Sequence, residues 1–140
     1  SVFMQPARAA ATDPAYVQMG ADVAWSQGFT GKGAVIAILE QGVDVDHPYF
    51  KESVIDGYCI ITDPNPAALC PNGKKEMSGL AAAQRPAGDF GHGLGVASAA
   101  AGNPNSGGPG GVARDAKIIM VRAMEIQVCC RSKTASNALG

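Results

Sequence analysis

The pattern of apolar and polar positions divides the chain into a few distinct pieces. Six apolar residues, Ala34 to Leu39 in "AVIAIL", run into Glu40, and Gly42 breaks the chain two residues later. An unbroken apolar run of this length predicts a strand buried on both faces, in the manner of a parallel sheet. Upstream, "DPAYVQMGADVAWSQG" puts Val17, Ala21, Ala24 and Trp25 at helical spacing, and Gly28 stops the helix. "TGKG", residues 30 to 33, is a turn. Val54 to Ile61 reads as a second strand, and from Pro64 to Gly88 the composition is that of a loop. "GHGLGVASAAAG" is rich in small residues and predicts a helix lying close against a sheet, closed by Gly102. "NPNSGGPGG" is a loop, and "AKIIMVRAM" is a third buried strand. The order helix, strand, strand, helix, strand predicts one three-layer α/β domain on a parallel sheet, with right-handed crossovers.

Composition narrows the class without changing this picture. The chain has 140 residues, enough for one domain but short for most complete α/β enzymes. An apolar content of 46% against 16% charged suits a globular core, and 18 glycines with 9 prolines imply many tight turns. A net charge of −1, with acids and bases mixed along the chain, gives no electrostatic case for nucleic acid or an anionic membrane. The apolar stretches fall far below the ~18 residues of a membrane span. The first residue is Ser, and no charged segment followed by an apolar one succeeds it. A signal peptide is expected to be absent or already removed.

Cys59 and Cys70 flank "CIITDPNPAALC", whose Asp-Pro and Asn-Pro pieces cannot build a core. A disulfide closing this loop would stabilise the fold by roughly 2–3 kcal/mol and would imply an oxidising compartment. Two free thiols in a cytosolic protein are the alternative. Cys129 and Cys130 are adjacent and have no metal-like partner spacing, so no zinc pattern exists.

In sheets of this kind, function gathers at the carboxyl ends of strands. Glu40 sits at one, and His92, preceded by glycine, sits at the start of the following helix. The two are expected to make a hydrogen-bonded pair in which the carboxylate would fix the tautomer of the ring, the orienter and base of a catalytic triad. The plainer readings are a turn-capping acid and a surface histidine. A nucleotide-binding module fails on order, because a dinucleotide fold needs its glycines after the first strand whereas "TGKG" precedes it.

Four segments in register resemble the N-terminal part of the subtilisin-like serine peptidases, over roughly residues 15 to 124. "GADVAWSQGFTGKG" is similar to the lead-in helix and turn, and "VIAILEQGVDVDHPYF" to the strand around the catalytic Asp. "FGHGLGVASAAAG" resembles the His-Gly-Thr-His-Val-Ala-Gly block, and "GGVARDAKIIMVRAM" the Gly-Val-Ala-Pro-x-Ala segment and its strand. The resemblance implies the N-terminal part only of a subtilisin-like fold: an irregular arm over 1–14, the peptidase part over 15–124, and a divergent tail over 125–140. It places Glu40 at the catalytic Asp and His92 at the catalytic His. Asp44, His47 and Pro48 fall on positions that shape the turn after the strand, and Asp44 with Asp46 reads as a solvated turn rather than a metal site.

The departures bear on activity. Glu40 keeps the charge but adds a methylene, and misplacing a catalytic group by ~1 Å can cost on the order of 10²-fold in rate. Gln41, Leu94, Gly95 and Ser98 replace family residues, and Gly95 stands where a second His is usual. The resemblance brings no cofactor and no metal ligand set. Calcium is the ion the family offers, but Tyr49 stands where many members place a calcium-ligating acid. The nucleophile of these enzymes follows the His in a Gly-Thr-Ser-Met-Ala block, with an oxyanion Asn before it. Neither motif occurs in the 140 residues, and Ser132, Ser136 and Asn137 lack the required setting. The expectation is therefore a serine endopeptidase in family terms, acting on protein or peptide substrates, whose 140-residue chain is inactive alone. A non-catalytic homologue acting as a binding protein is the alternative. The family and the Cys59/Cys70 pair imply an extracellular or secreted protein, with no membrane span and no nucleic-acid partner.

Overall fold

Asp13 caps the first helix by accepting from the Ala15 N–H at 2.9 Å, and Pro14 follows where its missing donor costs nothing. The computed structural model describes residues 13–62, 69–87 and 91–123. The N-terminal arm up to residue 12, most of the Cys59–Cys70 loop, and the tail with Cys129, Cys130, Ser132, Ser136 and Asn137 lie outside the described residues. The helical periodicity predicts one helix near the start, but there are two, α1 (Pro14–Gln18) and α2 (Ala21–Ser26). Gly20 separates them at φ 75°, a left-handed conformation that an α-helix does not continue through. Trp25 anchors the pair. Its Nε1–H donates to the Val112 carbonyl at 2.8 Å, the Arg114 guanidinium lies 3.4 Å above the ring centroid, and Tyr16 packs edge-on.

Four strands form one sheet: β1 (Val35–Glu40), β2 (Val54–Ile60), β3 (Glu76–Ser78) and β4 (Lys117–Arg122), in the order β1-β4-β2-β3. β4 comes last in the chain yet lies between β1 and β2 and runs parallel to both. β3 pairs antiparallel with β2, so the sheet is mixed. β3 and the 3-10 turn Leu80–Ala83 fall in a stretch whose composition predicts only loop. Neither carries an apolar period of its own, and contacts with β2 define both.

The helix α3 (His92–Ala101) and the 3-10 turn cover one face of the sheet. Ile38 of β1, Ile118 and Met120 of β4, and Val54 of β2 point to that face and meet Ala97 and Ala101 of α3 and Ala83 of the turn. Alanines at the contact let the helix axis approach the sheet. The opposite face carries Val35 and Leu39, and among the described residues no helix packs against it. This corrects the expectation of a strand buried on both faces. Leu39 is 62% exposed while Ile118 is fully buried.

A second cluster joins Cys59, Ile61, Cys70 and Ala82, with Met77 packed against it. Cys59 and Cys70 form a disulfide across 11 residues of sequence. Of the two readings left open by spacing, the cross-link is the one realised.

The burial pattern predicts a sharp asymmetry between the two faces. Ile118→Ala is expected to lower the unfolding free energy by about 2–4 kcal/mol and Leu39→Ala by no more than about 0.5 kcal/mol. Urea titration followed by circular dichroism measures both, and equal losses would contradict the assignment of faces. Reducing the disulfide is expected to cost roughly 2–3 kcal/mol in the same assay.

Candidate active site

Alternation along β1 sends Ile36, Ile38 and Glu40 to the covered face, so the acid that ends the strand arrives beneath the start of α3. The chain then turns at Gly42, whose φ of 104° is open to glycine and costly to other residues. Val43 is held beyond it, donating to the Ala83 carbonyl at 2.9 Å and accepting from the Arg85 N–H at 2.8 Å. From the other side, Gly91 at φ 81° leads into α3, and His92 is the first helical residue. Gly93 makes the meeting of the two segments possible. A Cβ on Gly93 would lie 2.3 Å from the Gly42 carbonyl oxygen, so neither backbone could approach as closely if residue 93 had a side chain.

The result is a direct contact. His92 Nδ1 lies 3.0 Å from Glu40 Oε1, with the acid side chain 11% exposed and the ring 43% exposed. The Gln41 N–H donates to the other carboxylate oxygen, Oε2, at 3.3 Å. An acceptor at Nδ1 makes that nitrogen the N–H donor, which leaves Nε2 on the ring as the proton acceptor. The extra methylene of Glu40 was expected to displace the carboxylate. Its carboxylate nonetheless reaches the ring at ordinary hydrogen-bond distance.

The other residues singled out in the sequence have structural partners. His47 accepts the Tyr49 N–H at Nδ1, 3.1 Å away, and its ring tilts against Phe50. Asp44 accepts from the Asp46 N–H, an Asx turn. Both contacts lie in the turn after β1. Gly95 lies on the exposed side of α3, and nothing comes within 4 Å of a Cβ built on it. A side chain there would project into open space, so the glycine leaves no void in the core.

Tyr49, where the resemblance implies a calcium-ligating acid in many members, has surroundings that do not fit that ion. Its hydroxyl accepts from the Gly110 N–H at 2.9 Å, and its ring fills the space beside Gly102 and Gly108. Tyr16 donates its hydroxyl proton to the carbonyl of the same Gly110. Burial, with Tyr49 and Asp13 nearby, raises the Tyr16 hydroxyl above its ordinary value, so it remains a donor at neutral and mildly alkaline pH. Tyr49 is thus the peg that holds the loop between α3 and β4. Among the described residues no group of three or more His, Cys, Asp or Glu side chains is placed to share a metal ion. No helix among them is long and apolar enough to cross a membrane.

Sequence reasoning passed over Arg122. It ends β4, is buried, and lies opposite Glu40 in the strand register. The signal was available, because "AKIIMVRAM" ends its apolar run on a charge just as "AVIAILE" does.

Comparison with known proteins then bears on what this arrangement is. Residues 31–139 match the model of the Subtilase family, a span that includes both Glu40 and His92. The chain is similar to the major intracellular serine protease of Bacillus subtilis (strain 168), at 32% identity over 101 residues, 71% of this chain and 27% of that protein. A shorter stretch of 30 residues, 21% of the chain, is 50% identical to proprotein convertase subtilisin/kexin type 5 of Branchiostoma californiense and covers 2% of it. The chain thus spans about a quarter of the Bacillus relative and a small part of the other.

The pinch between Gly42 and Gly93 yields a direct expectation. Gly93→Ala forces one backbone away from the other and is expected to destabilise the fold by about 1–3 kcal/mol, as overpacking does. The Glu40–His92 contact should separate with it. Thermal melts together with the chemical shifts of the His92 ring check this, and an unchanged melt would show that the approach is looser than described.

Proposed function

The chain belongs to the subtilase family, and on that premise we propose that it carries the acid and the histidine of a serine endopeptidase site. The observation that supports this reading most is the 3.0 Å contact between Glu40 Oε1 and His92 Nδ1, made at the nitrogen an orienting acid should hold. Family membership supports a serine peptidase kind of chemistry. In the proposed reaction, Nε2 of His92 takes the proton of a serine hydroxyl as the oxygen attacks the peptide carbonyl, and then gives it to the leaving amine. Water repeats the sequence on the acyl-enzyme. Glu40 keeps the ring in the tautomer with Nδ1–H and stabilises the imidazolium that forms. The exposed side of the ring faces solvent, where substrate and nucleophile would arrive.

The serine and the oxyanion Asn in their family settings are not among these 140 residues, so the proposed reaction takes both from outside them. The 140-residue chain by itself is inactive. Protein or peptide substrates follow from the family. The Cys59–Cys70 disulfide supports folding in an oxidising compartment, although the Bacillus protein that the chain resembles is named as intracellular. The alternative, a binding protein on a peptidase scaffold, draws on Glu40 in place of the usual Asp, on the bare position at Gly95 and on Gln41 and Ser98.

Two measurements test the reading. The 140-residue chain should neither hydrolyse a fluorogenic peptide nor be labelled by a serine-directed phosphonate, and stoichiometric labelling would overturn its inactivity. In the product of the complete gene, His92→Ala and Glu40→Gln should each lower kcat/KM by at least about 10³-fold with the fold intact. A complete product that is folded but neither hydrolyses peptides nor reacts with the phosphonate would overturn the peptidase reading.

A further inference from the structure

We propose that Arg122 is a positioning residue for the Glu40–His92 pair, and that the disulfide loop seats it through the carbonyl of Leu69. The role rests on the acid–histidine reading above. At the carboxyl end of the sheet the register sets Glu40 of β1 opposite Arg122 of β4, and Arg122 opposite Cys59 of β2. Parallel neighbours lie one strand spacing apart, ~4.8 Å, and residues in register project to the same face. All three side chains point to the covered face, with Glu40 8%, Arg122 5% and Cys59 0% exposed.

An arginine is rarely buried to this degree without partners for its donors. One partner is the Leu69 carbonyl, which accepts from Nη2 at 3.0 Å. Leu69 immediately precedes Cys70, and Cys70 is bonded to Cys59, the β2 neighbour of Arg122 itself. The cross-link therefore ties the residue after Leu69 to the strand beside the arginine and fixes where the accepting carbonyl stands. Without it, no cross-link would hold that carbonyl beside the strand.

The need for a fixed neighbour follows from the acid. Glu40 has one more rotatable bond than the Asp usual at this position, and each freely turning bond spreads the carboxylate over more positions. One carboxylate oxygen is aimed at the His92 ring, and the other accepts from the Gln41 N–H. Arg122, held one strand away on the same buried face, restricts the remaining room. It touches neither reacting atoms nor substrate, and acts through Glu40.

The ring Nδ1–H proton of His92, observed by NMR in the 140-residue chain and assigned by its loss in His92→Ala, tests this. In the unaltered chain it should be downfield and slow to exchange. Arg122→Met and the double variant Cys59→Ala/Cys70→Ala should each speed its exchange by about tenfold or more, while the Ile118 amide stays protected. Arg122→Lys, which keeps a donor for the Leu69 carbonyl, should restore most of the protection. The double variant leaves the side chains of Glu40, His92 and Arg122 chemically unaltered, so it carries the test even if Arg122→Met does not fold. Unaltered exchange in the double variant overturns the seating by the loop, and unaltered exchange in a folded Arg122→Met overturns the positioning role. Absence of the proton in the unaltered chain overturns the Glu40–His92 pair, and this role of Arg122 with it.

Discussion

The arrangement depends on one close approach, the carbonyl of Gly42 against the backbone of Gly93. A strand and a helix far apart in sequence must end and begin at the same place for their side chains to meet. Any side chain at residue 93 would hold them apart. Two left-handed glycines, Gly42 and Gly91, set the direction of the chain on either side of the contact. Given that geometry, the alternation of β1 and the first position of α3 bring Glu40 and His92 to hydrogen-bond distance.

The sheet supplies the rigidity behind this contact, and supplies it on one side. β4 sits between β1 and β2, so the strand holding the acid is braced by a strand whose inner residues, Ile118 and Met120, are fully buried. The 3-10 turn packs so closely on β2 that Gly57 has no room for a Cβ beside Ala83. The other face leaves Val35, Leu39 and Ile55 largely in solvent. A strand of a parallel sheet that carries apolar residues on both faces is built to be covered on both. That accords with a chain spanning about a quarter of its Bacillus relative.

Much of this was legible in the sequence because short-range signals agreed with the fold. The runs "AVIAIL" and "KIIMV" are apolar enough to read as strands without their partners, and the small residues after His92 read as a closely packed helix. The strand-end acid and the helix-start histidine could be paired because topology brings such positions together. What was not legible depends on distant partners. β3 is three residues long and exists through its ladder with β2. The helical spacing of Val17, Ala21, Ala24 and Trp25 runs straight across Gly20, where the chain breaks into two helices. That the carboxylate of Glu40 meets His92 cannot be read from its length alone, since it depends on where the end of β1 lies against the start of α3. The neighbour of Glu40 at Arg122 needs the β1–β4 register, which places together residues about eighty apart in the chain.

The central claim is that Glu40 and His92 act as a coupled pair. A double-mutant cycle of Glu40→Gln and His92→Gln, read as unfolding free energy at neutral pH, measures that coupling without requiring catalysis. With the acid largely buried and the ring partly in water, the account predicts a coupling of about 0.5–1.5 kcal/mol. Effects that add to within about 0.3 kcal/mol would contradict it.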